Sequence, residues 1–362
     1  MTRRRTRGTR AEPVPIRPGS RLAAEFWAQG RSAACPVYDM HGHMGPWKAI
    51  YFPAAGADAM VRIMDAAGVK LLCFTHHAAL FSPDQGNAPA VAAVRRHPDR
   101  LRAYLGINPH YPEIIRRELA EFDRMRDIFV GLKLLSAYHR VRMSDRRYRY
   151  ALAFAAERRL PVLVHTWHGD PSCGPAEVRR VAGRYPAVTF LLGHCLNDDW
   201  EAAVAVAKEF PNTYLELTSV PGKRGVVEQL VEGAGSGRIL FGTDLPWFEE
   251  HQGIGSLLSV DITADFLIRA ENGLAHFHIR QECKSSTFRS RDGGKIIRSV
   301  RAARRQLPCH GPDRPCDGFG WSASVPVRWV RCPEPSRPVP RAAYASASDG
   351  LPLIGRAYAK PD

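Results

Sequence analysis

Short apolar runs alternate with amphipathic stretches between residues 36 and 250, and this alternation repeats eight times along the chain. The runs are nearly continuous in Val, Ile, Leu and Phe, which is typical of parallel strands that are buried on both faces. The pattern therefore predicts eight strands, at residues 37–41, 69–75, 101–107, 129–135, 162–165, 188–194, 213–217 and 239–243.

The stretches between these runs carry apolar residues at helical spacing, and several end at a proline. They predict helices at residues 57–67, 89–96, 112–126, 145–159, 175–185, 198–210 and 225–232. Eight strand–helix units of this combined length predict an α/β fold, a (β/α)8 TIM barrel. An open doubly wound sheet is the competing architecture, but it more often carries a glycine-rich phosphate loop after its first strand, and this chain has none.

The periodic pattern delimits three parts of the chain. We assign residues 36–280 to the barrel and residues 1–35 to a basic N-terminal extension. Residues 281–362 are rich in Pro, Arg, Ser and Gly without periodicity, and this composition predicts a low-complexity, disordered tail.

The net charge of +15 belongs almost entirely to the two ends of the chain. Residues 1–35 carry +6 and residues 281–362 carry +8, which leaves +1 for the barrel. A nearly neutral barrel has no overall field that attracts phosphate backbones, so nucleic acid is not an expected partner. Basic tails that bind polyanions are an alternative, although such tails are more often simply solvated.

No segment predicts export or membrane insertion. No apolar run approaches the ~18 residues of a membrane-spanning helix, and the arginine-rich start is not followed by the apolar region of a signal peptide. The eight cysteines include no CxxC pair, which fits a reducing compartment. We therefore expect a cytoplasmic protein without a membrane partner.

Four strand ends carry side chains that bind metals or move protons. The first strand ends in His41-Gly42-His43, the fifth in His165, the sixth in His194 and the eighth in Asp244. Residues two apart on a strand point to the same side, so His41 and His43 project together. Because barrel enzymes draw catalytic residues from the carboxyl ends of several strands, we expect these side chains to meet at one mouth.

An HxH pair alone is weak evidence, since two surface histidines beside Gly42 give the same pattern. The presence of such side chains at the ends of four different strands favours a metal site. Imidazoles and a carboxylate suit Zn2+ or a similar divalent ion such as Mn2+, with an open position for water. Asp39 shares a side with His41 by alternation and is expected to fix an imidazole tautomer or to serve as a further ligand.

The residues at these strand ends resemble the amidohydrolase superfamily, specifically the amidohydrolase-related branch that includes aminocarboxymuconate-semialdehyde decarboxylase-like enzymes. The resemblance rests on the DxHxH strand that begins at Asp39, the VHT and GH strand ends, the FGTDLPW segment at 241–247 and the stretch 258–277. In that last stretch the helix between Asp261-Ile262 and Asn272-Gly273 is shorter than the family pattern.

The resemblance implies one divalent metal ion held by His41, His43 and His165. Asp244 would be a fourth, weaker ligand or the proton carrier, and His194 would orient or deprotonate a metal-bound water. Binuclear members of the superfamily bridge two metals with a carbamylated lysine on the fourth strand, where this chain has Lys133. The decarboxylase-like branch uses one metal.

Three further residues are candidates for substrate binding. Lys133 is expected either to grip a substrate carboxylate or to reach solvent. His76, directly after the second strand, lines the pocket in one interpretation and caps a loop in the other. Trp247 follows the eighth strand and, with Trp47 and Trp167, is expected to wall the substrate site, although each Trp is more often a packing residue.

Three functions remain open at this point, and the first two share every ligand. The first is a hydrolase that activates a metal-bound water to attack a small carbonyl-containing substrate. The second is a metal-dependent decarboxylase of an aromatic or unsaturated carboxylic acid. The third is a non-catalytic relative with polyanion-binding tails. The partner in the first two is a small molecule, and a homodimer is expected because such barrels often dimerise.

Overall fold

The computed structural model describes residues 20–33 and 35–260, and its eight strands form one sheet in the order β1 to β8. Every neighbouring pair is parallel. The strands are β1 (Val37–Met44), β2 (Val69–His76), β3 (Leu101–Ile107), β4 (Phe129–Leu134), β5 (Pro161–Trp167), β6 (Thr189–Asn197), β7 (Thr213–Glu216) and β8 (Ile239–Leu240).

The first and last strands meet and complete the barrel. The backbone N–H of Met40 donates to the carbonyl of Phe241 at 3.0 Å, and that of Asp244 donates to the carbonyl of His41 at 2.6 Å. The predicted (β/α)8 barrel is thereby confirmed, and the ends of β1 and β8 lie side by side.

Helices cover the outside of the sheet. Those of the described residues are α1 (Arg21–Gln29), α2 (Ala57–Ala67), α3 (Pro83–Arg96), α4 (Pro112–Glu121), α5 (Ser136–His139), α6 (Arg149–Glu157), α7 (Pro175–Arg184), α8 (Trp200–Glu209), α9 (Val226–Ala234) and α10 (Glu250–Ser259). Short 3-10 turns occur at His77–Leu80, Phe122–Met125, Arg146–Tyr148, Val220–Gly222 and Ser236–Arg238.

Helices α5 and α10 lie where the sequence pattern predicted no helix, and α3 and α1 differ from the prediction in other ways. Helix α3 begins at Pro83 rather than at residue 89, because Pro89 lies inside the helix instead of starting it. Helix α1 lies within the segment assigned to the N-terminal extension, yet its Ala23 and Phe26 are buried in the main core. The folded domain therefore begins before residue 36.

An apolar layer fills the barrel interior beneath the carboxyl ends of the strands. The strands β5, β6, β7 and β8 contribute Leu163, Leu191, Tyr214 and Leu240 to this layer. Two residues further along these strands, alternation places His165, Gly193, Glu216 and Gly242 in the next inward-facing layer. The apolar layer thus forms the floor beneath the strand ends that carry polar side chains.

No helix among the described residues is long and apolar enough to cross a membrane. The predicted tail at 281–362 and the stretch 261–277 with its closing helices lie outside the described residues.

Candidate metal centre

His41, His43 and Asp244 converge at the mouth of the barrel. Each is buried, and one ligand atom from each lies within 4.8 Å of the other two. The Oδ1 atom of Asp244 is 3.1 Å from Nε2 of His43 and 3.4 Å from Nε2 of His41. The two histidines lie on β1, and Asp244 lies in the segment that follows β8.

The arrangement of these atoms fits a cation between them. Although Oδ1 of Asp244 is close to both imidazoles, it has no hydrogen-bond partner among the described residues. A buried carboxylate oxygen without a hydrogen bond is costly unless a positive charge compensates it. Burial would raise the pKa of Asp244, but the imidazoles of His41 and His43 outweigh it and hold that pKa well below its usual value.

Glu216 on β7 sets the orientation of His41. Nδ1 of His41 donates to Oε2 of Glu216 at 2.6 Å, which leaves Nε2 unprotonated and facing Asp244. The other carboxylate oxygen of Glu216 accepts from the backbone N–H and the hydroxyl of Thr218, at 2.8 and 2.7 Å. Burial raises the pKa of Glu216 to about 8 against these hydrogen bonds. A carboxylate behind a ligating histidine fixes its tautomer and its orientation.

Sequence reasoning missed Glu216, although a signal was present. An acidic residue inside an otherwise apolar buried strand is expensive unless it has partners, so it points to a buried polar site. Gly242, two residues after the neighbouring strand β8, leaves room for it. A Cβ at 242 would overlap Oε1 of Glu216 and lie 2.8 Å from Cβ of His41.

Lys133 is buried beside the same histidine. Its Nζ lies 2.8 Å from Nε2 of His41, and its side chain is almost completely enclosed. The alternative of a solvent-facing lysine is therefore wrong. Burial lowers the pKa of Lys133 to about 8. Its ammonium places a positive charge next to the lone pair that a bound cation would use.

His165 and His194 lie at the same mouth but outside the close group of three. Their ring centroids are 4.6 Å apart, and that of His194 is 5.4 Å from that of His41. Burial lowers the pKa of His194 to about 3, so its imidazole is neutral near pH 7. The ring of His165 stacks on Trp167 with centroids 5.7 Å apart.

His77, rather than His76, faces the histidines of the site. Its ring stacks on that of His43 at 5.0 Å. The indole N–H of Trp247 donates to Nε2 of His77 at 3.0 Å, and Nδ1 of His77 donates to the carbonyl of Gly45 at 2.7 Å. His76 lies against Gly45, and its Nδ1 accepts from the N–H of Ala78 at 3.2 Å.

The strand pattern could not separate these two histidines. They are adjacent, and which of them turns inwards depends on where the strand ends and the 3-10 turn at His77–Leu80 begins.

An aromatic wall surrounds this part of the mouth, and we define it by five rings. Trp47 lies 5.4 Å from Trp247, 5.3 Å from Phe81 and 5.9 Å from Tyr138, and Phe52 lies 5.0 Å from Trp247. Two of the three tryptophans expected at the substrate site, Trp47 and Trp247, thus form one continuous surface. Trp167 packs against His165 and His194 instead.

Asp39 accepts hydrogen bonds from two backbone N–H groups and a hydroxyl, and none from an imidazole. Its Oδ1 accepts from the N–H of His41 at 2.8 Å and from the N–H of Thr243 at 3.2 Å, and its Oδ2 accepts from the hydroxyl of Thr243. The expected role in fixing a histidine tautomer falls to Glu216. Asp39 instead joins the ends of β1 and β8, on which the close group of three stands.

Comparison with known proteins gives a family and a fold. The sequence model of the amidohydrolase family matches residues 38–272. A search of curated proteins gave no match.

Three solved structures illustrate the likeness in fold. The 2,6-dihydroxybenzoate decarboxylase from Rhizobium has a TM-score of 0.53 at 13% identity, over 67% of this chain and 98% of that one. A dihydroxybenzoic acid decarboxylase from Polaromonas sp. JS666, with bound manganese and 2-nitroresorcinol, has a TM-score of 0.53 at 16% identity, over 67% and 96%. A TIM-barrel protein of unassigned function from Bordetella bronchiseptica has a TM-score of 0.50 at 21% identity, over 61% and 83%.

Proposed function

The chain belongs to the amidohydrolase family, and from this premise we propose that it is a metal-dependent enzyme that decarboxylates an aromatic carboxylic acid. The observation that carries the proposal is the aromatic wall beside the close group of His41, His43 and Asp244, with the cationic Lys133 buried next to it. A planar ring fits against the wall, and a substrate carboxylate fits the positive charge.

One divalent ion would be held by His41, His43 and Asp244, with His165 as a further ligand. When bound, such an ion polarises a coordinated oxygen and lowers the pKa of a bound water. Imidazole nitrogens and a carboxylate oxygen suit both Zn2+ and Mn2+. Zn2+ was the expectation from the sequence, and the Polaromonas decarboxylase holds manganese.

Each of the surrounding side chains has its own role in the proposed reaction. Lys133 binds the carboxylate, and Trp47 and Trp247 hold the ring. The bond between the ring carbon and the carboxyl carbon breaks, its electron pair stays on the ring carbon, and CO2 leaves. That ring carbon takes up one proton, which comes from water and passes through Asp244 or His194.

Hydrolysis is the second candidate, and the state of Asp244 favours it. An ionised carboxylate with one oxygen free of hydrogen bonds can accept a proton from water during attack on a carbonyl group. The substrate would then be a small lactone or amide rather than a carboxylic acid.

Metal-replete full-length protein distinguishes the two candidates on a panel of dihydroxybenzoates, lactones and amides. We expect CO2 release from one or more aromatic acids. Hydrolysis of lactones or amides without CO2 release would favour the second candidate, and neither reaction in metal-replete protein would overturn both.

Metal analysis of the purified protein tests the ligands separately from activity. We expect H41A and H165A to lose bound metal. H97A is the matched control, because His97 pairs with Asp58 at 2.7 Å and contacts none of the expected ligands. Unchanged metal content in H41A and H165A would contradict the ligand assignment.

The wider expectations are part of the same proposal. They are a cytoplasmic location, a small-molecule substrate, a homodimer, and no nucleic-acid partner for the barrel.

A further inference from the structure

The end of β6 has an unusual backbone. Three consecutive residues, His194, Cys195 and Leu196, have φ values of 68°, 50° and 58°. None is a glycine, and the left-handed region is unfavourable for residues with a Cβ because the Cβ approaches the carbonyl oxygen. Such a run persists only where surrounding contacts hold it in place.

The hydroxyl of Thr166 makes two of those contacts. Thr166 lies on the neighbouring strand β5 and is completely buried. Its hydroxyl donates to the carbonyl of Gly193 at 2.7 Å and accepts from the N–H of Leu196 at 2.9 Å. These two backbone groups stand immediately before the left-handed run and at its last residue, so one side-chain oxygen bridges the run.

The residues on either side of Thr166 confine His194 as well. Ring centroids of His165 and Trp167 lie 4.6 and 5.6 Å from that of His194. The hydroxyl thus fixes the backbone of His194, while its two neighbours on the same strand enclose the imidazole.

We propose that Thr166 is the positioning residue of His194, and that its hydroxyl holds the left-handed turn that aims this imidazole into the site. The proposal rests on the proposed function only in giving His194 a part in proton transfer. The turn and the two hydrogen bonds stand independently of the reaction.

Substitutions at Thr166 separate the effect of its hydroxyl group from the effect of its side-chain packing. T166V keeps the shape and removes both hydrogen bonds, whereas T166S keeps the hydroxyl. We expect T166V to lower kcat on the order of 10- to 100-fold with a smaller change in KM, since small displacements of a reacting group have effects of that size. T166S should have a kcat and a KM close to those of the unmodified protein.

The matched control is T213V. Thr213 is also a buried β-strand threonine, and its hydroxyl donates to the carbonyl of Phe210 at 2.8 Å, at the start of β7 and away from the mouth. Loss of kcat in T166V but not in T213V supports positioning. In addition, T166V should lower kcat no further once His194 is replaced by Ala, because both changes remove the same contribution.

Hydrogen exchange gives a readout that needs no activity. The N–H of Leu196 should exchange faster in T166V than in T166S or T213V. If T166V leaves both this exchange and kcat unchanged, the proposal is wrong. If no substrate of the panel reacts, the proposed function fails while the exchange comparison still decides the role of Thr166. Should T166V not fold, T166A removes the same hydroxyl and replaces it in each comparison.

Discussion

His41 is the most constrained residue of the site, since both of its ring nitrogens face ionisable side chains. Nδ1 donates to Glu216, and Nε2 lies 2.8 Å from the ammonium of Lys133. The carboxylate makes His41 a better ligand, and the ammonium competes with a metal ion for the same lone pair. Metal affinity therefore depends on the balance between two residues that are not themselves expected ligands.

E216Q tests this balance. Glutamine can still accept a hydrogen bond from Nδ1 but cannot become negatively charged, so above pH 8, where Glu216 is ionised, we expect metal affinity to fall about 10- to 100-fold. Competition with a chelating dye measures it. E209Q is the control, because Glu209 is an exposed helix residue paired with Arg179. Equal affinity in the two variants would show that the charge of Glu216 does not support His41.

His139 makes protein stability depend on pH. It is buried and neutral, with Nε2 donating to the carbonyl of Leu80 at 2.5 Å and Nδ1 accepting from the hydroxyl of Tyr148 at 2.8 Å. Burial lowers its pKa to about 4, below the value of about 6.5 of an unfolded chain. Protonation therefore favours the unfolded state, so the contribution is present above pH 6.5 and is lost as pH falls towards 4.

Urea unfolding of H139Q with a chelator present measures this contribution. Between about pH 7.5 and 5 the free energy of unfolding should fall by about 2 kcal/mol less in H139Q than in the unmodified protein. The chelator removes the effect of metal loss, and the other buried histidines are common to both proteins. Parallel pH profiles would mean that His139 is not neutral in the fold.

At the scale of strands, the close approach of β7 and β8 shapes the site. Glu216 points inwards, and its carboxylate lies against Gly242, where a side chain would overlap the carboxylate and press on Cβ of His41. G242A should therefore destabilise the protein by about 1–3 kcal/mol through overpacking and displace Glu216 from His41. Thermal unfolding and metal content measure the two effects.

The control for this change is G237A. Gly237 lies in the 3-10 turn before β8, and a Cβ there would meet nothing within 4 Å. We expect unchanged metal content and nearly unchanged stability. If G242A behaves in the same way, the contact between Glu216 and the eighth strand does not organise the site.

The strands also show how far the sequence predicted the site. Alternating apolar runs located every strand, and the polar residues at their ends gave His41, His43 and Asp244 as neighbours. A local signal marks Glu216 as a buried polar residue, but its contact with His41, like that of Thr166 with β6, depends on which residue of one strand stands beside which residue of the next. That register follows from packing across the barrel, which no local pattern contains.

The same limit applies to the helices. Helix α2 agrees with the sequence prediction because its apolar spacing and its terminal Gly68 are local signals. Helix α1 was missed although Ser20 caps its start and Gly30 its end, because it lies in the arginine-rich segment before the first strand. Only its packing, with Ala23 and Phe26 in the core, shows that it belongs to the barrel.

For the whole molecule, charge and site are separated along the chain. The barrel is nearly neutral, while residues 1–35 and 281–362 carry +6 and +8. Any affinity for polyanions should therefore reside in the ends and be independent of the mouth. Full-length protein should bind heparin or duplex DNA at low salt with an affinity that falls steeply as salt rises.

Removal of residues 1–19 and 281–362 tests this separation. The truncated protein keeps α1 and the strands, and it should lose both the binding and its salt dependence while metal content stays unchanged. H41A in the full-length chain is the converse control, since it should lose metal and keep the polyanion affinity. The dependence of affinity on salt concentration reflects the number of phosphate contacts that a protein surface makes. If the truncated protein binds with the same salt dependence as the full-length protein, the interaction belongs to the barrel.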